Sequence, residues 1–179
     1  MCYNEYIPKK GDDGMYLEGQ KVVYGIHGVC MVIQIETKII DRKKIPYYVL
    51  EPLDQPGARF YVPIEKPAAV AKISPLMSSQ DIQALLSSEL PCQAVWVAEE
   101  NQRKMRFREL IGNGDRKVLA AIVKALYAHK KEQMEKGKKF HLCDENFLRD
   151  SEKLLCSEIA AACGISNEEA LNQVRTALQ

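Results

Sequence analysis

The chain has 179 residues, of which 46% are hydrophobic, and its formal net charge at pH 7 is +1. This length and hydrophobic share suffice for a buried core, in one domain or in two small ones. No apolar run approaches the roughly 20 residues that cross a bilayer, so we expect no integral membrane role, and the near-neutral total charge by itself favours no particular partner.

The six cysteines are scattered along the chain and form no CxxC pair. No leader with a basic start, an apolar middle and a small-residue cleavage site precedes them. Cysteines without pairing motifs are typical of proteins in reducing compartments. We therefore expect a cytoplasmic protein with reduced thiols.

Residues 1–14 are polar, and Lys9 to Gly14 combines turn-forming residues with mixed charge. Chain ends of this composition seldom order on their own, which predicts a flexible tail. Two interpretations stay open. The protein carries an extension before its first domain, or Met15 is its natural start.

The stretch from Gly19 to Glu36 predicts a β-hairpin. Its two runs of β-branched and aromatic residues, Val22–Tyr24 and Val29–Ile35, are separated by Gly25-Ile26-His27-Gly28. The two glycines supply backbone angles that other residues resist. Strict alternation along the second arm predicts one wholly apolar face, made of Val29, Met31, Ile33 and Ile35.

Three further short strands are predicted at residues 45–53, 59–62 and 71–73. The turn Asp54-Gln55-Pro56-Gly57 separates the first two, because proline presets one backbone angle and glycine permits the reversed one. Five short strands joined by brief turns favour a small SH3-like or Tudor-like barrel over residues 15–75. Such barrels bind partners by an edge strand or a loop-lined face more often than they catalyse reactions.

From Ser78 onward, apolar residues recur at helical spacing. A short helix capped by Ser78 or Ser79 is followed by the only tryptophan, Trp96, and by a basic helix that Gly112-Asn113-Gly114 breaks. Asp115 is placed to cap a long helix that runs to about Lys136, and Ser166 with Glu169 resembles a capping box. Residues 78–179 are thus predicted to form an all-helical bundle, which gives a two-domain α+β fold.

The near-neutral total hides an uneven distribution of charge. Residues 103–139 contain twelve Lys or Arg and four acidic residues, a net charge of +8, so the rest of the chain carries −7. Lys117, Lys124, Lys131 and Lys138 repeat every seven residues and project in nearly one direction wherever the helix persists. This density indicates either phosphate contacts or a solvated helix face, and charge alone leaves both open.

The string VVYGIHGVCMVIQIE, followed by Tyr47–Leu50 and Tyr61-Val62-Pro63, resembles the amino-terminal module of the CarD family of bacterial transcription regulators, which also occurs in transcription-repair coupling factors. Gly25 stands where that family commonly has proline, and Cys30 where it has glycine. The resemblance implies docking on the β subunit of bacterial RNA polymerase by strand-to-strand pairing. The matching positions are Lys38, Arg59, Phe60, Tyr61 and Val62.

The helical half is similar to the carboxy-terminal domain of the same family in Arg103-Lys104, Gly114-Asp115, Ile122–Tyr127, Gly137–Lys139 and Glu152–Leu155. In that family a tryptophan touches the upstream edge of the transcription bubble, and neighbouring basic residues hold the DNA backbone. The usual tryptophan directly precedes the paired basic residues, whereas Trp96 lies several residues upstream, so a wedge and a packing residue both remain open. The resemblance implies DNA contacts at Trp96, Arg103, Lys104, Arg106, Lys117, Lys124, Lys138 and Lys139.

Motifs for catalysis are weak. The three histidines match no HExxH or zinc-ligand spacing, and no GxxxxGK[ST], GxGxxG or GxSxG occurs. We expect no metal, no cofactor and no enzymatic activity, with a cysteine hydrolase that uses Cys30 near His27 as the enzyme alternative.

The sequence predicts a monomeric transcription regulator that docks on polymerase and contacts promoter DNA independently of base sequence. Its effect would fall on the stability of the open complex. The other interpretation is a stand-alone nucleic-acid-binding barrel that acts without polymerase.

Overall fold

The computed structural model describes residues 15–179, so the tail predicted at residues 1–14 lies outside the described residues. These divide into two compact units between Leu76 and Met77. The first unit is built from strands and the second from helices. The predicted class, a small antiparallel β-module followed by a helical bundle, is confirmed. No helix within the described residues is both long and apolar enough to cross a membrane.

The first unit contains five strands. They are β1 (Lys21–Tyr24), β2 (Val29–Ile40), β3 (Lys43–Pro52), β4 (Phe60–Pro63) and β5 (Ile73–Pro75), with the short helix α1 (Pro67–Val70) between the last two. All pairs are antiparallel, and the order across the sheet is β4-β3-β2-β1-β5. The last strand begins at Ile73 rather than near Ala71, because α1 (with Pro67 at its first position) has its C-cap at Ala71, which keeps helical backbone angles.

The predicted hairpin is confirmed. A single 3-10 turn, Gly25–His27, joins β1 to β2, and both flanking glycines have positive φ, 48° at Gly25 and 71° at Gly28. Side chains with a Cβ resist this backbone conformation, so glycine at these two positions lets the chain reverse within four residues.

The predicted alternation along β2 is wrong beyond Val32. Val32 pairs with Leu50 and Gln34 pairs with Val49, so Ile33 is an extra residue in the ladder. Such a bulge moves every later side chain to the opposite face. The core therefore contains Cys30 and Val32 from before the bulge and Ile35 from after it.

Two tyrosines close the core of the first unit. Tyr16 and Tyr48 are each 1% exposed, and their rings meet edge to face at 5.7 Å. The Tyr16 hydroxyl donates to the carbonyl oxygen of Ile73 at 2.9 Å, and the Tyr16 backbone N–H donates to the Tyr48 hydroxyl at 3.1 Å. Both polar ends are satisfied, so the rings stabilise the core without leaving a buried orphan group.

The second unit contains six helices among the described residues. They are α2 (Ser79–Ser87), α3 (Cys92–Val95), α4 (Glu100–Gly112), α5 (Arg116–Glu135), α6 (Leu142–Cys163) and α7 (Asn167–Leu178). Helix α5 lies at the centre, with Ile122, Val123 and Leu126 at 0% exposure. Each such side chain contributes roughly 1.5–3 kcal/mol on burial, so this stripe is a substantial part of the bundle's hydrophobic core.

The predicted caps are present. Asp115 accepts from the backbone N–H groups of Lys117 and Val118, and Ser166 forms a reciprocal capping box with Glu169. A second capping box joins Ser78 to Asp81 at the start of α2. These caps satisfy N–H groups that the first turn of a helix leaves without partners, so α2, α5 and α7 begin directly after their capping residues.

A buried carboxylate attaches the first residue of this unit to the bundle. Glu158 on α6 is 3% exposed, and its Oε1 accepts from the backbone N–H of Met77 at 2.9 Å. Both of its oxygens also accept from Nε of Arg116, at 2.9 and 2.8 Å. The contact fixes the start of the helical unit to α5 and α6.

Candidate functional site

The sheet has two edge strands, β4 and β5, and β4 carries the positions that the family resemblance implies in docking. Strand β4 pairs with β3 from Phe60 to Pro63, and no strand pairs with its other side among residues 15–179. Backbone groups along such an edge can accept a strand from another protein.

Side chains of β4 divide between the two faces of the sheet. Val62 is 1% exposed and lies in the core, and the Phe60 ring contacts the rings of His27 at 4.2 Å and Tyr24 at 5.6 Å. Tyr61 points away from the core and is 41% exposed. Arg59, just before the strand, is exposed as well. Phe60 and Val62 can therefore serve a partner only through their backbone, while Arg59 and Tyr61 also offer side chains.

The structure brings Lys38 and Tyr61 together, although they lie on β2 and β4. The Nζ atom of Lys38 lies 3.3 Å from the centre of the Tyr61 ring. A cation over an aromatic face contributes about 0.5–1 kcal/mol at exposed sites. The contact holds a positive charge above the outer face of the sheet, beside the open edge.

The enzyme alternative finds no support at Cys30. Its side chain is fully buried, and this burial raises the pKa of the thiol to about 12. A nucleophilic cysteine needs a lowered pKa, so that the thiolate forms near neutral pH. The nearby His27 ring stacks on Tyr24 at 5.2 Å. Among the described residues, no group of three or more His, Cys, Asp or Glu could hold a metal ion.

In the helical unit, Trp96 directly follows α3 and is half-buried. Its ring centre lies 4.6 Å from that of His129 on α5 and 6.4 Å from that of Phe107 on α4. It packs against the hydrophobic core and keeps part of its surface in solvent. The packing interpretation agrees with these contacts, and the DNA wedge stays a prediction that the accessible side of the ring permits.

Arg103 holds the segment that carries Trp96. Its guanidinium forms a two-pronged ion pair with Asp144 on α6, with Nε–Oδ1 at 3.0 Å and Nη2–Oδ2 at 2.7 Å. Nη1 donates to the carbonyl oxygens of Val97 and Ala98, both at 2.9 Å, and Cζ lies 4.7 Å from the Trp96 ring centre. Arg103 is only 4% exposed, so its positive charge is paired inside the bundle and adds little to the charge of the surface.

The histidine beside Trp96 stays neutral near pH 7. Burial lowers the pKa of His129 below its usual 6.5, and the positive charge of Arg103 acts in the same direction. Asp144 and Glu132 oppose the shift, and Glu132 Oε2 lies 3.8 Å from Nδ1 of the ring. A neutral imidazole packs against the indole without adding a second positive charge next to Arg103.

Two other predicted basic residues on α4 have acidic neighbours on the same helix. Lys104 pairs with Glu100 one turn earlier, and this partner raises the pKa of the lysine. Arg106 pairs with Glu109 at 3.3 Å. Solvent-accessible pairs of this kind are weak, so both side chains can still exchange partners.

A row of exposed cations lies on α5. Lys117, Lys124 and Lys131 are exposed at seven-residue spacing on one side of this helix, and none is engaged by the ion pairs formed between residues 15 and 179. We call these three residues the lysine ridge. Lys138 and Lys139 are also exposed but follow the end of α5, where Gly137 has a φ of 64°, so they do not continue the ridge.

Sequence reasoning missed the roles of Asp144 and His129. Their contacts to Arg103 and Trp96 join positions that are 41 and 33 residues apart, and no local pattern announces them. The sequence did contain a pattern that indicates the burial of Arg103. Arg103, Phe107 and Leu110 lie at i, i+4 and i+7, which is the spacing of the apolar stripe of a helix.

These features define a two-unit protein that presents an open sheet edge and a cationic helical surface. Residues 16–76 match the model of the CarD-like/TRCF RID domain, and residues 92–175 match that of the CarD C-terminal domain. The chain therefore belongs to the CarD family, whose members are transcription factors that interact with RNA polymerase. A comparison with curated proteins found no match.

Replacing Asp144 with alanine is expected to lower the free energy of unfolding by about 3–5 kcal/mol, because Arg103 would keep a buried charge without its partner. Trp96 is the only tryptophan, so urea unfolding followed by its fluorescence measures the change directly. The exposed Asp150→Ala variant is the control and should shift stability by less than about 0.5 kcal/mol. Equal stability of the two variants would contradict a structural role for the pair.

Proposed function

We propose that this protein docks on the β subunit of RNA polymerase through β4 and contacts promoter DNA through its helical unit at the upstream edge of the bubble. It stabilises or destabilises the open complex from there, in the cytoplasm and without enzymatic activity. The single observation that carries the proposal is the combination of an open β4 edge and a cationic helical surface in one member of a polymerase-interacting family.

The proposed docking is backbone pairing between β4 and a strand of the polymerase. In such pairing the main-chain hydrogen bonds supply affinity, and the side chains beside the edge supply specificity. Lys38 and Tyr61 supply a cation and an aromatic surface beside the edge. Arg59 adds a second exposed cation just before the strand.

For DNA, the proposal assigns the phosphate contacts to accessible cations. These are the lysine ridge with Lys138 and Lys139, supported by the half-buried Lys104 and Arg106. Lysine and arginine neutralise phosphates without reading bases, so the contacts are independent of sequence. The accessible side of Trp96 would meet the bases where the duplex opens, as aromatic residues do on unpaired nucleotides.

Arg103 takes a different role in this proposal from the one that the family resemblance implied. Because its guanidinium is committed to Asp144, Val97 and Ala98, we assign it the positioning of Trp96 rather than a phosphate contact. DNA binding would then depend on Arg103 through the placement of the tryptophan.

Docking on polymerase explains how weak DNA contacts suffice. Once the first unit is bound to polymerase, the helical unit meets DNA at an effective concentration that is set by the chain joining the two units. For short linkers this concentration is in the millimolar range. Modest affinity of the helical unit for DNA is therefore enough, and base readout is unnecessary.

We expect Tyr61→Ala to weaken binding of the full chain to purified bacterial RNA polymerase by at least about tenfold, or about 1.4 kcal/mol, because it removes the exposed ring and the support of Lys38. Biolayer interferometry measures the affinity. The fold should persist, since Tyr61 is 41% exposed and lies outside the core.

Lys66→Ala truncates another exposed side chain of the same unit and serves as the matched control for Tyr61→Ala. It should bind as the wild type does. Unchanged affinity of Tyr61→Ala would move the docking surface away from β4. Absence of polymerase binding by the wild type, together with retained DNA binding, would instead favour the stand-alone nucleic-acid-binding alternative.

Reversing the charges of the lysine ridge should weaken binding to a DNA duplex with an open bubble, whatever its base sequence. The slope of log affinity against log salt should fall in magnitude by about 0.9 for each phosphate that is no longer neutralised. Fluorescence anisotropy at several salt concentrations measures both quantities for the Lys117→Glu, Lys124→Glu, Lys131→Glu triple variant.

A triple variant in the first unit, Lys21→Glu, Lys66→Glu, Lys72→Glu, makes the same change in net charge at exposed positions. It should keep the wild-type salt slope if the ridge itself contacts phosphates. Equal losses of affinity in the two triple variants would show that only total charge matters, and the assignment of the ridge would be abandoned.

A further inference from the structure

A groove lies between the second half of α5 and the first half of α6, and the carboxy-terminal end of α7 forms part of its wall. Its volume is about 1080 Å³, which is large enough for a small-molecule ligand. The lining includes neither β4 nor Trp96, so the proposed contacts with polymerase and with opened bases do not use this groove.

The least exposed residues of the lining are apolar. Tyr127 and Leu148 have 7% and 5% exposure, and Ala128 adds only a small side chain between the helices. Met134 and Leu142 line the groove near the turn from α5 to α6 and are 67% and 73% exposed. An apolar ligand that covers these two side chains would remove a large apolar area from water.

Charge is distributed unevenly along the groove. Helices α5 and α6 pack on one another and are joined by residues 136–141, so they run antiparallel. Glu135 and Glu145 therefore lie toward the turn, whereas Arg149 and Arg175 lie toward the other end. Arg149 pairs at 3.5 Å with the exposed Asp150, which is a weak contact that it can exchange for a ligand.

The acidic residue at the arginine end already has partners. Oε1 of Glu152 accepts from the Tyr127 hydroxyl, and Nε of Arg175 lies 3.8 Å from the same oxygen. Glu152 thus holds Arg175 at the groove, while Lys130 and Lys131 bring two further cations to it from α5. An anionic group is therefore favoured at this end and disfavoured at the turn.

The length of the groove favours a small ligand over a docked helix. Its α5 wall runs from residue 127 to 135, and its α6 wall runs from residue 142 to 152. At 1.5 Å per residue these walls are about 12 and 15 Å long, which corresponds to two to three helical turns. An average protein helix has three to four turns.

We propose that this groove binds a small amphipathic anion, in which a carboxylate or phosphate group contacts Arg149 and Arg175 and an apolar body covers Met134 and Leu142. The ligand is a soluble compound with one apolar chain or ring system. A membrane lipid keeps its tails in the bilayer and could not lay an apolar body along the groove.

A ligand in the groove would oppose DNA binding. Lys131 belongs both to the groove lining and to the lysine ridge. An anion beside Lys131 lowers the positive potential that DNA phosphates meet, so each of the two ligands should weaken the binding of the other. This coupling rests on the proposed function, whereas the binding site itself does not.

The test follows the fluorescence of anilinonaphthalene sulfonate, an aromatic anion, added to the full chain. We expect saturable binding and displacement by decyl phosphate. Inorganic phosphate lacks the apolar body and decyltrimethylammonium lacks the anion, so each should displace the probe at least about tenfold less well. Equal displacement by either compound would overturn the proposal.

Two substitutions with matched controls locate the site. Ala128→Phe fills the groove and should weaken binding of decyl phosphate at least about tenfold. Ala177→Phe is exposed on α7 outside the lining, has the same cost in helix propensity and should bind as the wild type does. Arg149→Gln should also weaken binding, whereas Arg108→Gln on α4 should not. The melting temperatures of all four variants show that each one folds.

Other results would contradict the assignment. Wild-type affinity in both Ala128→Phe and Arg149→Gln, or equal losses in the variants and their controls, would place the ligand elsewhere. Vesicles of phosphatidylglycerol should not retain the protein. Retention that Ala128→Phe abolishes would identify a membrane lipid as the occupant and overturn the choice of a soluble ligand.

The coupling has its own readout. Decyl phosphate should weaken binding of the wild type to a DNA duplex with an open bubble and should have no effect on DNA binding by Ala128→Phe. Constant DNA affinity in the wild type would overturn the coupling and leave the binding site in place. If the wild type binds decyl phosphate but no DNA, the proposed DNA contact and the coupling fail together, while the site stands.

Discussion

The position of Trp96 in the helical unit depends on the buried ion pair between Arg103 on α4 and Asp144 on α6. Their side chains are 5% and 1% exposed, and both guanidinium prongs meet carboxylate oxygens. Removing two charges from water offsets much of their attraction, so such a pair adds less net stability than its distances suggest. Its main effect is geometric, because the same guanidinium fixes the backbone at Val97 and Ala98 and faces the Trp96 ring.

The two candidate binding surfaces, the β4 edge and the lysine ridge, lie on different units. In the first unit, β4 offers backbone groups along a strand that has no charged side chain. In the second unit, positive charge is concentrated on α5. Between residues 103 and 139 the net charge is +8, but Arg103 contributes none of it to the surface. Charge density in the sequence therefore overstates the cationic surface. The exposed lysine ridge gives the better measure of what DNA would encounter.

Local signals in the sequence predicted much of the fold. The glycine-flanked hairpin and the caps at Asp115 and Ser166 depend on residues within a few positions of one another, and the structure contains each of them. The bulge at Ile33 was not predictable from alternation, since it arises from pairing with β3. The family resemblance, confirmed by matches to both units, came from strings of residues rather than from composition.

The candidate site was less predictable, because its contacts join distant positions. Tyr61 and Lys38 meet only after three strands align, and Asp144 reaches Arg103 across 41 residues. Arg103 was assigned to DNA from the family resemblance, although its spacing with Phe107 indicated a buried position. Helical periodicity should therefore be considered before charge when surface residues are chosen from sequence.

The central claim is that one molecule holds polymerase with its first unit and promoter DNA with its second. Site-specific photocrosslinking in a complete polymerase–promoter open complex tests this claim most directly, with a photoreactive residue placed at position 61 or at position 124. We expect a crosslink from position 61 to the β subunit and from position 124 to DNA just upstream of the melted segment. Crosslinks from position 124 to protein alone, or from position 61 to DNA, would contradict it.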